Sequence, residues 1–175
     1  MSDLHDLVSP PATAGGARLR PIEESDWPAI AWLEAAAYDP HGLTEGPQAL
    51  RSRAYPDTSF VLDDDGRIGG YLLALPYPRG SSPDLRRPEG PAHRSANLHL
   101  HDIVIDPGLR GCGWGRRLVS HLTAIARSRA YQRISLVSVG GTTGFWAACG
   151  FHPHRETELP VSYGPGAVYM SRVLG

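Results

Sequence analysis

The sequence has no lysine; all 17 of its cationic side chains are arginines. A lysine Schiff base is therefore excluded, and so is a P-loop, whose lysine reaches the phosphates. Cysteine is scarce. Cys112 and Cys149 stand far apart, which builds neither a zinc-ligand spacing nor a disulfide framework. Aromatic residues make up only 8% of the chain, and no apolar run approaches the roughly 20 residues of a membrane span. An excess of positive charge is missing too. The 17 cations face 18 acidic residues, a formal net charge of -1, which argues against a nucleic-acid binder working by bulk electrostatics. A local basic patch stays open. The opening Met1–Gly16 carries no apolar stretch, so it is read as a loose leader without a signal peptide. A soluble cytoplasmic protein with free thiols is expected.

What is present suits one core. The chain has 175 residues, 41% of them hydrophobic, too few for two full domains of the usual size. A single domain over residues 17–175 is expected. Ala17–Pro21 reads as a short strand. Ser25 or Asp26 can cap a helix with Pro28 in its first turn, and Ile30, Leu33 and Ala37 follow at helical spacing to Tyr38. A second short helix is predicted over Pro47–Ala54. Thr58–Leu62 and Ile68–Leu75 form a hairpin around Asp65-Gly66, and the three aspartates there read as a solvated turn. Pro76 to about Ala96 is long, irregular and proline-rich, as in a substrate-side flap or plain disorder. Leu98–Ile105 is the strongest strand. A helix over Gly113–Arg129 carries the apolar stripe Leu118, Leu122, Ile125 and Ala126. Ile134–Val139 is a buried strand, Thr142–Cys149 a short helix, and Phe151–Arg155 and Ala167–Val173 are closing strands. The order β-α-α-β-β-β-α-β-α-β-β predicts a mixed α/β sheet. In it Leu98–Ile105 and Ile134–Val139 run parallel across a helical crossover.

The chemistry concentrates between Leu98 and Arg117. Arg110-Gly111-Cys112-Gly113-Trp114-Gly115-Arg116-Arg117 joins the end of a strand to the start of a helix. Glycines let backbone N–H groups approach an anion, and the helix N-terminus adds partial positive charge. Arg116 and Arg117 in the first turn oppose the helix dipole, by about 0.3–1 kcal/mol each, unless an anionic ligand sits there. This reads as a pyrophosphate cradle. A Rossmann site is rejected, because the glycine spacing is G-x-G-x-G and no acidic residue stands at the ribose position.

The run Leu98–Pro107 followed by Arg110-Gly111-Cys112-Gly113-Trp114-Gly115 resembles motif A of the GNAT superfamily of N-acyltransferases, with Arg110, Gly113 and Gly115 filling its R/Q-x-x-G-x-G/A pattern. Phe145-Trp146-Ala147-Ala148-Cys149-Gly150-Phe151 resembles motif B, and the resemblance spans roughly Ala17 to Val173. It implies a GNAT-like mixed central sheet, acetyl-CoA as acyl donor, an amine acceptor and direct attack of the neutral amine on the thioester. By motif position the backbone of Ile103, Val104 and Ile105 would pair with the pantetheine arm. The loop Arg110, Gly111, Cys112, Gly113, Trp114 and Gly115 would hold the pyrophosphate, with Arg116 or Arg117 toward the 3′-phosphate. Leu98-His99-Leu100-His101 is similar to the arylalkylamine acetyltransferase branch, where such a pair relays the proton.

An amine with a pKa near 10 must shed a proton before it attacks, and a base near neutrality serves. His99 and His101, two apart on a strand, are expected to share a face, with Asp102 on the other. A zinc site from His99, His101, His152 and His154 is set aside, since this transfer needs no metal. Many members of the family carry a tyrosine acid where this chain has Trp146, whose indole only donates hydrogen bonds. Tyr163 or Tyr169 would substitute, or the thiolate leaves unaided. The functional expectation is an N-acetyltransferase acting on a small-molecule amine, as monomer or homodimer, with neither nucleic acid nor membrane as partner. The alternatives are a non-catalytic acyl-CoA-binding module and a protein N-terminal or lysine acetyltransferase.

Overall fold

The structure, a computed structural model, describes residues 16–175. Apart from Gly16, the leader expected over residues 1–16 lies outside the described residues. The chain runs β1 (Ala17–Pro21), α1 (Trp27–Tyr38), α2 (Pro47–Ser52), β2 (Phe60–Asp64), β3 (Arg67–Pro76), β4 (Asn97–Ile105), α3 (Trp114–Ser128), β5 (Arg133–Ser138), α4 (Thr143–Ala148), β6 (His152–His154) and β7 (Val168–Val173). The element order is the expected one. Boundaries move by up to two residues, as fraying ends do.

Local signals account for the elements. A 3-10 turn over Glu24–Asp26 leads into α1, where the Glu23 N–H donates to the Asp26 carboxylate at 2.7 Å and Pro28 sits where no intrahelical N–H is required. The β2–β3 hairpin turns through Asp65 and Gly66, both at positive φ, as an Asp-Gly turn demands. One 7-stranded sheet results, in the order β1-β2-β3-β4-β5-β7-β6, antiparallel except where β4 meets β5.

Each face of the sheet buries its own core. On one, the α3 stripe Leu118, Leu122 and Ala126 packs on Phe60, Leu62, Leu72, Leu100 and Ile134. On the other, Ile30 and Leu33 of α1 pack on Val61, Tyr71, Leu73 and Val104. Burying a leucine or isoleucine side chain fully stabilises a fold by about 1.5–3 kcal/mol, so these two helices clamp the sheet from both sides. Among the described residues no helix is long and apolar enough to cross a membrane.

Strand β4 carries a bulge. Asp102 pairs with Leu73 while Leu100 pairs with Ala74, so His101 is the extra residue. Leu98 and Leu100 face α3, but after the bulge Asp102 and Val104 face α1. This corrects the expectation that Asp102 lies opposite the histidines. Strict alternation was assumed, and one inserted residue inverts it.

The stretch 77–96 is a tethered flap. Arg53, with its side chain fully buried, donates to the Asp84 and Arg87 carbonyls, both at 2.7 Å, and pairs with Glu89 at 3.0 Å. Tyr163 Oη donates to the Pro83 carbonyl at 2.7 Å, and the Leu85 N–H donates to Ser162 Oγ at 3.1 Å. A proline-rich segment without a ladder of its own is thus ordered by side chains from elsewhere.

Candidate active site

The site begins where two strands part. β4 and β5 pair only through Asn97–Arg133, Leu98–Ile134 and His99–Ser135. Beyond that rung their edges diverge, and a cleft of about 690 Å³ opens between Leu100–Ile103 of β4 and Leu136, Val137 and Val139 of the β5 end. Backbone groups on the freed edge of β4 have no strand partner there among the described residues, so they are open to an extended ligand. A second cleft of about 490 Å³ continues along Ile103, Val104 and Ile105 to Arg110, Gly111, Gly113, Trp114, Gly115 and Arg116. These are the residues the motif pointed to, and the fold brings them together.

The N-terminus of α3 forms the far end. Gly113 precedes the helix at φ 79°, a left-handed conformation that glycine adopts without strain. Among the described residues no side chain caps the helix, so the first N–H groups are left for a ligand. Arg116 lines this cleft. Arg117 instead stacks its guanidinium over the Trp114 ring at 4.1 Å. Trp114 lines this cleft and is otherwise buried in the core. Cys112 is exposed and does not line the cleft. A diphosphate with an extended amide arm fits this geometry: an uncapped helix start, a glycine turn, two arginines and an open strand edge.

At the other end lie the histidines. His99 is fully buried, 2.9 Å from Ser135 Oγ, and is not among the residues lining the cleft. Burial, with the neighbouring His101 and Arg53, pushes its pKa well below the ordinary range, so it stays neutral. His101 lines the cleft. Its Nε2 lies 2.7 Å from Glu45 Oε2, while its buried Nδ1 has no hydrogen-bond partner among the described residues. The rings of His99 and His101 are 6.2 Å apart.

An acidic annex of about 50 Å³ lies behind His101, lined among others by Glu34, Glu45, Asp102, Tyr38 and Tyr163. Asp102 accepts hydrogen bonds from Tyr38 at 2.6 Å and Tyr71 at 2.5 Å. Burial raises the Asp102 pKa, and burial also pushes Glu34 up to about 7. Burial alone would raise Glu45 as well; His101 and the Arg53 guanidinium outweigh it and hold Glu45 below the usual carboxylate range. Glu45, Arg53 and Glu34 were missed by sequence reasoning. Glu45 is 56 residues from His101, and no local pattern links them.

The aromatic groups divide differently from expectation. Trp146 is buried, set edge-on to Phe145 and Phe151 at 4.9 and 5.6 Å, with part of its surface on the cleft. Tyr169 is buried on β7, and its hydroxyl accepts the Gly80 N–H at 2.9 Å, an anchor of the flap away from the cleft lining. Tyr163 reaches the cleft, but its hydroxyl is engaged by Pro83 and burial pushes its pKa far up. His154 Nε2 lies 2.7 Å from Ser171 Oγ, remote in sequence and bonding from His101. Among the described residues no three of His, Cys, Asp and Glu group as a metal site.

The sheet is mixed and splits at its parallel pair, with a glycine turn at one end of the split. Residues 17–151 match the acetyltransferase (GNAT) family, and the chain belongs to it. Over 58 residues it is 34% identical to glucosamine 6-phosphate N-acetyltransferase of Trypanosoma brucei brucei, covering 33% of this chain and 40% of that one. Over 53 residues it is 40% identical to glucosamine 6-phosphate N-acetyltransferase 1 of Oryza sativa subsp. japonica, covering 30% and 32%. The matches thus span less than half the length of these curated relatives. N-acetylglutamate synthase from Neisseria gonorrhoeae, complexed with coenzyme A and N-acetyl-glutamate, shares the fold at TM-score 0.70 and 21% identity, over 91% of this chain and 35% of that one.

Proposed function

We propose that the protein is an N-acetyltransferase that moves an acetyl group from acetyl-CoA to a primary amine on a small molecule. The observation that carries this reading is the split between β4 and β5. It runs from the glycine turn before α3 to His101, so a diphosphate-binding end and a proton-accepting end lie on one continuous channel. Acetyl-CoA supplies the activated thioester. Arg110, Gly111, Gly113, Gly115 and Arg116 hold its phosphates, and the freed edge of Ile103–Ile105 pairs with its amide arm.

His101 is the base that touches the acceptor. His99, neutral and one ring behind it, shares the same face and supports it. A flap pinned over the cleft, with Arg86 on the lining, suits an acceptor enclosed within a pocket better than a protein surface. The relatives named for glucosamine 6-phosphate point the same way. We place the working domain at residues 17–175 and the protein in the cytoplasm, where the free thiols of Cys112 and Cys149 stay reduced. Release of CoA thiol over a panel of amines tests the reading. Turnover with small primary amines is expected; thioester binding without turnover on any amine would reduce the protein to a binding module. Turnover only on protein N-termini or lysines would reassign the acceptor.

A further inference from the structure

We infer that Glu45 is a positioning residue that fixes His101 in the tautomer with hydrogen on Nε2, leaving the lone pair on Nδ1 to take the acceptor's proton. This rests on the proposed reaction but on a different observation, the division of the Glu45 carboxylate. Oε1 accepts from Arg53 Nε at 3.0 Å and Nη2 at 2.9 Å, while Oε2 faces His101 Nε2 at 2.7 Å. The Glu45 N–H donates to Glu34 Oε1 at 2.8 Å, so the backbone is fixed as well as the side chain. Both the Glu45 and the His101 side chains are nearly fully buried, at 3% and 2% exposure.

An ionised carboxylate has no hydrogen to give, so the ring nitrogen facing it must carry one. In a neutral imidazole the other nitrogen is then the acceptor. That atom is the buried Nδ1 with no partner among the described residues. An unpaired buried nitrogen is unfavourable, and an acceptor amine that brings an N–H to it removes that penalty. The groups around the ring do not compete for it. Asp102 is taken by Tyr38 and Tyr71, Tyr163 by Pro83, and His99 by Ser135.

The step balances as a single proton transfer. The N–H bond of the acceptor breaks, its electron pair stays on nitrogen as the nucleophile, and a new N–H forms on Nδ1. The imidazolium so formed is stabilised by the Glu45 carboxylate, then returns its proton to water. Arg53 holds Glu45 against the histidine and, through Asp84 and Arg87, holds the flap. One guanidinium therefore sets base and acceptor wall in register.

Imidazole ¹⁵N spectra of the wild-type protein give the test that needs no variant and no turnover. At pH 8 His101 should show hydrogen on Nε2. In Glu45→Gln, whose amide can donate, hydrogen should move to Nδ1. That variant should lose about 10²-fold or more in kcat, the scale on which a wrong tautomer disables a base, with KM for acetyl-CoA within two-fold. The double variant Glu45→Gln, His101→Gln should be no slower than His101→Gln alone. Wild-type hydrogen on Nδ1, or independent losses that multiply in the double variant, would overturn the assignment. Absence of turnover in the wild type would instead defeat the proposed function, leaving the spectra to decide the tautomer.

Discussion

His99 Nδ1 lies 2.9 Å from Ser135 Oγ, across the last rung that β4 and β5 share. Asn97 Nδ2 donates to the same hydroxyl at 2.8 Å. This polar clasp closes the sheet at the point from which it splits, with both partners buried. Ser135→Ala should therefore destabilise the fold by about 1–3 kcal/mol, since it strands His99 and Asn97 without water. Denaturant unfolding measures this; an unchanged midpoint would show that the clasp is redundant.

The proposed thioester end of the cleft holds two arginines and a left-handed glycine. Removing Arg110 and Arg116 together should raise the Kd for acetyl-CoA by roughly ten-fold or more per guanidinium, the worth of a charge-assisted contact to phosphate. Gly113→Glu adds strain at φ 79° and a negative charge beside the helix start. Titration calorimetry with CoA is the check, and unchanged affinity in both variants would remove the cradle from this loop.

His101→Ala should lower kcat/KM by about 10²–10⁴, the range for loss of a general base. The deficit should shrink as pH rises and free amine accumulates. Steady-state rates from pH 6 to 10 report both, and wild-type activity at pH 7 would end the assignment.

Arg53 is a buried cation with Glu45 at 2.9 Å and Glu89 at 3.0 Å. Arg53→Met should destabilise by about 3–5 kcal/mol, because the Glu45 carboxylate is left buried without its cation. Hydrogen exchange should rise across residues 77–96 before it rises in the sheet. Equal exchange in both regions would mean that the flap is held without Arg53.

Glu34 gives a pH dependence with a defined sign. Its folded pKa is raised to about 7 from 4.5, so the folded chain binds a proton that the unfolded chain has released. Between those values stability falls as pH rises, and the cost is complete above about pH 7. Glu34→Gln mimics the protonated acid and keeps an oxygen for the Glu45 N–H. Its melting temperature should exceed that of wild type at pH 8, with the gap closing toward pH 5. A gap constant with pH would show that Glu34 does not titrate in this window.

Trp146 packs edge-on to Phe145 and Phe151, so its indole is a wall. Trp146→Phe should cost about 1–2 kcal/mol in stability for the lost volume yet retain turnover. Lost turnover with intact folding and CoA binding would give the indole N–H a part in the reaction.

Much of this was written locally. The apolar stripe of α3, the Asp65-Gly66 turn and the glycines before Trp114 are short-range patterns, each with its own physical cause, and they determined the element order and the glycine turn at one end of the cleft. The histidine end was not local. Glu45 reaches His101 across 56 residues, and Arg53 reaches Glu89 across 36. Buried polar contacts of this kind leave no periodicity, because their partners are brought together only by the fold. Tyr169 was a candidate acid only because the family resemblance expects a tyrosine where this chain has Trp146; in the fold its hydroxyl accepts the Gly80 N–H. The bulge at His101 was equally invisible, since one extra residue changes no composition and breaks no propensity, yet it decided which face Asp102 occupies. Local pattern determined which elements form; the packing of β4 against α1, α2 and the flap decided that Glu45 is the carboxylate beside His101.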